Sequence, residues 1–452
     1  MTRACSCRHR QVGQALLLGL ALLIVGAAAL ILAFNSGQHL ATKERLVHAA
    51  DAAAFSAASW RARVFNYLAY SNRAIIAQEV AVAQALTLES WALYFEEFTE
   101  TVRELTQYFP PAAVFTTAVA RAAEVSREVT AAAAATEILL RDAPQVGYKS
   151  LLVRSQALLA NAAGTFGAGA VALEVAQAND PRFFAFALPD DDAYRQFSRV
   201  YESDADRERL KDLVVRSLDP FSSGSRGTDM VMPVPAGCLV GSPSPADWFV
   251  QFRKRGGTHL APGLDRWEAA DTGSLHDSVR RRFFGGCSRR EVYPIGWGAT
   301  EAGVDRPTDS LVANPGGVRT NPIATSRAED DMGNGDTQEH RVTGIGRVRE
   351  LNYPALANDR FPRSRLVVLA SVGQARIRDA AQARLAAGRL LGRVALPGSR
   401  QWAIAGAEVY FRRPPGSGRD QELASFYNPY WQARLAPLTD ADRNRADGYV
   451  NR

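Results

Sequence analysis

From Gln14 to Phe34 the chain reads QALLLGLALLIVGAAALILAF, about twenty residues without a charge. At 1.5 Å per residue such a helix crosses a hydrocarbon core of roughly 30 Å, and a buried helix of a soluble protein has no need of that length. Arg3, Arg8 and Arg10 precede the run, whereas Lys43 and Arg45 after it are offset by Glu44. The positive-inside rule therefore favours a cytoplasmic N-terminus, with everything beyond about Asn35 exported. A cleavable signal is the competing reading, with Ala27-Ala28-Ala29 as its cutting site, although Leu30 to Phe34 carry the apolar run past it. A third reading is a prepilin-type leader cut after Gly13. Leu18 then stands where pilins usually carry a glutamate.

The net charge of +6 takes its meaning from this start. Lys and Arg number 53 against 47 Asp and Glu, and the three leading arginines supply half of the excess. What remains is too small and too scattered to indicate a nucleic-acid partner. The clusters Arg253-Lys254-Arg255 and Arg280-Arg281-Arg282 stand beside Phe252 and Phe283-Phe284, chemistry that suits a polyanion, or simply a soluble surface.

Between Gly37 and Pro110 there is neither Gly nor Pro. Such a stretch, rich in Ala, Leu, Glu, Gln and Arg, is predicted to be helical. Continuous, it would reach about 105 Å, so a break or hairpin is expected near the polar cluster Asn66 to Asn72. Val47, Ala50, Ala54 and Ala57 recur at three-four spacing and form a flat seam, either for a close helix partner or for packing within the domain. Further helices are predicted from Pro110 to about Asp142 and from about Ser150 to Gln177, the latter softened by Gly164, Gly167 and Gly169. Short alternating or aromatic runs at Trp248 to Phe252, Glu291 to Ile295, Arg341 to Leu351, Arg365 to Val372 and Trp402 to Arg412 read as strands, with a helical insertion from Gln374 to Leu391.

The fold class is thus α+β. Its expected parts are a cytoplasmic tail (1–13), a transmembrane helix (14–34), a membrane-proximal helical module (35–178), a connecting segment (179–230), an α+β periplasmic domain (231–437) with a flexible loop at 298–338, and a C-terminal tail (438–452).

Catalytic and metal-binding patterns are sparse. The histidines at 9, 39, 48, 259, 276 and 340 have no ligand spacing. Glu96, Glu97, Glu100 and Glu104 share a helical face that reads chiefly as solvated. Glu329, Asp330, Asp331, Asn334 and Asp336 carry calcium-type oxygens without the EF-hand ladder. Ser274, His276 and Asp277 have triad chemistry, but triad members meet in space rather than in adjacent sequence. Gly344-Ile345-Gly346 lacks a third glycine. No cofactor, catalytic or metal site is therefore expected. Cys5 and Cys7 fall in the tail, leaving Cys238 and Cys287 as a disulfide candidate that would close about 50 residues and contribute roughly 4 kcal/mol.

Several segments together resemble one family, the tight-adherence (Tad) Flp pilus-assembly proteins of the TadE/TadG-like kind. They are Arg10 to Ser59, with the Ala-Asp-Ala-Ala-Ala element at Ala50 to Ala54; Phe65 to Gln84; DRWEAADTGSLH at Asp265 to His276; AEVYFRRP at Ala407 to Pro414; and FYNPYWQARLAP at Phe426 to Pro437. The resemblance implies a non-enzymatic, single-pass inner-membrane component that acts by assembly. Its partners would be other pilus-assembly proteins or pilin subunits and the membrane itself, with no nucleic acid and no small-molecule substrate. Tyr427, Tyr430 and Trp431 are then either a partner contact or an anchor against the strand at 402–412, and the size of Tyr and Trp favours burial.

Overall fold

The computed structural model describes residues 14–143, 146–201, 203–231, 248–261, 265–280, 287–305, 308, 310–337, 340–344, 347–356, 359, 361–373, 376–377, 400–413 and 423–450. One helix organises them. α1 runs unbroken from Gln14 to Thr106, 93 residues, which at 1.5 Å each is about 140 Å. Its first twenty residues are the apolar run, none of which is packed inside the fold, and by length and composition this is a helix that can cross a membrane.

The break expected at Asn66–Asn72 is absent, because these amides are structural staples. Asn66 donates to the Trp431 carbonyl (2.9 Å) and accepts from its N–H (2.9 Å). Asn72 donates to the carbonyls of Arg349 and Phe426, both 2.8 Å away, and accepts from Gln156, which also donates to Ser71. Helix formation leaves the α1 backbone self-satisfied, so its polar side chains are free to complete the hydrogen bonding of other segments laid against it.

Two lobes sit on this spine. The lower one is an antiparallel sheet in the order β1 (Phe184–Ala187), β9 (Ser364–Gly373), β10 (Arg400–Phe411), β11 (Trp431–Ala436). It packs on α1 together with α4 (Thr165–Asn179). Ala49, Ala50, Ala53, Ala54, Ala57 and Ala58 have no exposed surface and share a core with Ala168, Ala172 and Ala176 of α4. Alanine along this stretch of α1 lets two helices and a sheet meet at short range.

The upper lobe is a meander of β3 (Thr228–Val231), β4 (Trp248–Leu260), β5 (Arg266–Arg280) and β6 (Cys287–Gly303), with β7 (His340–Arg341) parallel to β6. α2 (Pro110–Asp142) returns along α1 as a hairpin partner. Here glycine sets the approach of sheet to helix. A Cβ on Gly298 would lie 2.5 Å from Leu93 Cβ and 2.7 Å from the Ser90 carbonyl, and one on Gly296 would lie 2.9 Å from Phe98 Cβ. Between the lobes, β2 (Ser198–Val200) pairs with β8 (Arg349–Leu351). Phe197 and Leu351 belong to the lower core, Tyr201 and Val348 to the upper.

Several expectations are corrected. The helices of 35–178 are not a separate module, since the main core of each lobe combines them with strands from beyond residue 183. The segment 179–230 is no connector: it supplies β1, β2, β3, α5 (Asp191–Phe197), α6 (Asp204–Arg216) and α7 (Pro220–Ser223). The third predicted helix is two, α3 (Tyr148–Ala162) and α4, divided before Gly164. Among the described residues of the run Arg341 to Leu351, only the two ends are strand.

Nor is 298–338 a flexible loop. It completes β6, then forms a 3-10 helix (Pro315–Thr320) and α8 (Pro322–Asn334), which ends on Gly335 in the left-handed region. Leu311, Val318, Ala328 and Met332 form a small core with Ala270 and Ala299. Low hydropathy concealed these few apolar contacts at helical spacing. The tail 438–452 contains α9 (Asp440–Val450), which is held where Arg365 donates to Asp442 (2.6 Å). The insertion expected at 374–391 falls almost wholly outside the described residues.

Candidate functional site

The small-residue seam is filled by the chain itself. Ala50, Ala54 and Ala57 are fully buried against α4 and the lower sheet, while Val47 stands 39% exposed to one side. As a docking face for another chain this seam is spent.

The aromatic C-terminal element is likewise core. Trp431 is 2% exposed and lies within 5.8 Å, ring to ring, of Phe65, Phe197, Phe411 and Phe426. Its indole N–H donates to the Ser425 carbonyl at 3.1 Å. Tyr430 packs edge-on against Phe411, and Tyr427 is half-buried with its hydroxyl enclosed. Partner contact through Trp431 is therefore corrected to internal anchoring, because a ring of this size on a strand facing α1 removes most area from water by turning inward.

The triad-like residues do not converge. Ser274 and His276 share a face of β5, yet Ser274 donates to Glu291 at 2.5 Å and His276 bonds Asn321 at 2.8 Å. Glu291 in turn accepts the N–H groups of Ile323 and Ala324, at the start of α8. The cluster fastens a helix N-terminus, where a carboxylate is favoured by the orphan N–H groups. Two of the calcium-type carboxylates are also engaged. Glu329 accepts the Leu311 N–H at 3.0 Å, and Asp331 accepts the Trp297 indole N–H at 2.7 Å. Among the described residues no group of His, Cys, Asp and Glu is arranged to hold a metal ion.

The basic run 253–255 is neutralised internally. Arg255 pairs with Asp229 at 2.6 Å, Arg253 lies 3.9 Å from the same carboxylate, and Lys254 bonds Asp271. Asp271 also takes Arg226 at 2.6 Å and the Ser90 hydroxyl at 2.8 Å, which ties β5 to α1. Two further buried pairs do the same work. Lys149 reaches Glu79 at 2.7 Å, the Gly344 carbonyl at 2.6 Å and Asp142, while His340 bonds Glu89 at 2.6 Å. Burial raises the pKa of Asp142, which the Lys149 charge opposes, and burial lowers that of Lys254 against the pull of Asp271. No periodicity marks these residues in the sequence; a lone Lys149, Glu79 or Asp271 looks like ordinary surface.

The acidic face of α1 is only partly solvated. Glu104 is exposed, but Glu96, Glu97 and Glu100, with Glu124 and Arg121 of α2, line an open cavity of about 410 Å³. Arg103 grips Glu100, and Arg127 lies 3.2 Å from Glu96. Burial, with Asp331 nearby, pushes Glu97 up to about 7. The cleft can titrate near neutrality, but within it no nucleophile is paired with a base.

Cys287 begins β6, but Cys238 lies outside the described residues, and with it the disulfide expectation. Sequence reasoning read Asn66 and Asn72, at the waist between the lobes, as a break, and missed the buried ion pairs. The one available signal was polar residues recurring inside an otherwise apolar helical face. No family model, curated protein or solved structure matches the chain.

Proposed function

We propose that this chain is a membrane-anchored accessory component of Tad/Flp pilus assembly and secretion, working outside the inner membrane through protein-protein contact rather than catalysis. The observation that carries the reading is α1, which begins as an exposed apolar stem and continues without a break as the spine of both lobes. Any displacement of the stem is thereby felt across the whole exported body, as suits a scaffold. The sequence segments that resemble the TadE/TadG-like family lie along this spine and in the strands packed on it. In this reading the chain crosses the membrane once, N-terminus inside, with its bulk periplasmic or surface-directed.

Deleting the chain tests the proposal: surface pili and adherence should both be lost and should return with the full-length chain. Pili that assemble normally without it would overturn the reading. An adhesin-like binding module is the second reading, favoured by the distal turn and the start of α2, where Tyr108 is 81%, Phe109 66% and Phe115 70% exposed. It predicts that deletion removes adherence and leaves the fibres.

A further inference from the structure

α2 is apolar on two faces. Ala120, Ala123, Ala134 and Ile138 are buried on the inner one, toward α1. On the outer one, every residue reached from Pro111 to Leu139 in alternating steps of four and three is exposed and uncharged, which makes a four-heptad seam. Phe115 is 70%, Val125 59%, Val129 64% and Leu139 64% exposed. No described element of the chain covers this face.

We propose that the occupant is a second copy of the same helix, packed antiparallel about a two-fold axis near residues 123–124. In that register large meets small at each layer: Phe115 faces Ala132 of the second copy, Ala118 faces Val129, and Ala122 faces Val125. The two charges flanking the seam, Arg121 and Glu128, then face each other twice across the axis; both are exposed, and neither makes an ion pair among the described residues. Sliding by one heptad brings Glu128 against Glu128, or Arg121 against Arg121. Parallel pairing sets Phe115 on Phe115 and Ala122 on Ala122, and it places Arg121 opposite Ser126. Size and charge thus select one register and one direction, as an isologous interface requires.

The two-fold axis crosses α2, so the two apolar stems leave the dimer at opposite ends. Copies anchored in one membrane all point the same way, so this contact belongs to chains released from that membrane. It stands apart from the pilus reading, because association of purified chains and loss of pili are separate measurements.

The full-length chain in detergent, followed by sedimentation, gives the test. Wild type should dimerise. Arg121→Glu or Glu128→Arg should each weaken association at least tenfold, and an equimolar mixture of the two variants should restore it. Chains carrying Phe115→Cys should cross-link to chains carrying Ala132→Cys rather than to each other. Both charged positions are on the surface, and circular dichroism checks that folding is retained; the doubly reversed chain, R121E/E128R, should dimerise like wild type. A monomeric wild type, single reversals without effect, a mixture that stays dissociated, or cross-linking of 115 to 115 would each overturn the proposal.

Discussion

The two lobes are fixed to the same helix by different chemistry. The lower one uses alanines and an aromatic cluster around Phe65 and Trp431. The upper one uses glycines for approach and buried ions for fixation: Lys149 with Glu79 and Asp142, Asp271 with Lys254 and Arg226, and Glu89 with His340. Close-packed apolar contacts punish a change of volume. Buried ion pairs punish the loss of one partner, which strands the other charge without water. One helix thus carries a volume-sensitive half and a charge-sensitive half.

Removing a buried partner should have the largest effect. Lys149→Ala leaves two buried carboxylates and should cost about 3–5 kcal/mol, read as lost hydrogen-exchange protection in the upper lobe while lower-lobe amides hold. Equal loss in both lobes would mean that they unfold as one unit. Trp431→Ala should cost a similar amount, about 3–5 kcal/mol, with the protection lost in the lower lobe instead.

Next in size is a pH effect at the waist. Glu350 is buried on β8, where its Oε1 accepts the N–H groups of Leu351 and Phe426 and its Oε2 has no hydrogen-bond partner; burial pushes its pKa up to about 7. The folded-state value lies above the unfolded one, so this group's contribution is complete below about pH 4.5 and is lost as pH rises through 7. Glu350→Gln should therefore flatten the fall in thermal midpoint between pH 5 and 8, a difference of roughly 3 kcal/mol. An unchanged pH profile would show that Glu350 is not the group responsible.

Ala54→Leu forces volume into the lower seam and should cost about 1–3 kcal/mol by chemical denaturation. Val47→Leu, two turns away at the exposed edge of the seam, should stay within about 0.5 kcal/mol. Equal costs at the two positions would contradict the seam.

The same division explains what could be read from the sequence. The lower lobe advertises itself: β9 and β10 are largely apolar runs, the alanine spacing marks the seam, and Pro110 fixes the start of α2. The upper lobe does not. β5 is rich in Asp, Thr, Gly, Ser and His whose partners come from distant segments, and α8 buries only Ala324, Thr325, Ala328 and Met332, so low hydropathy suggested a loop. Asn66 and Asn72 resembled a turn because their partners, Trp431, Arg349 and Phe426, lie hundreds of residues away. Of the candidate sites, the alanines and Trp431 were recognised as packing groups, but only the fold shows that what they pack against is the chain itself.

The central claim is that α1 is one helix bearing both lobes. Nitroxide labels at the exposed positions Val47 and Leu88, in the full chain, test it by pulsed dipolar spectroscopy. A continuous helix places their backbones about 61 Å apart. A hairpin at Asn66–Asn72 would bring them within about 20 Å, a distance reached by folding the same 1.5 Å rise back on itself, and that result would contradict the account.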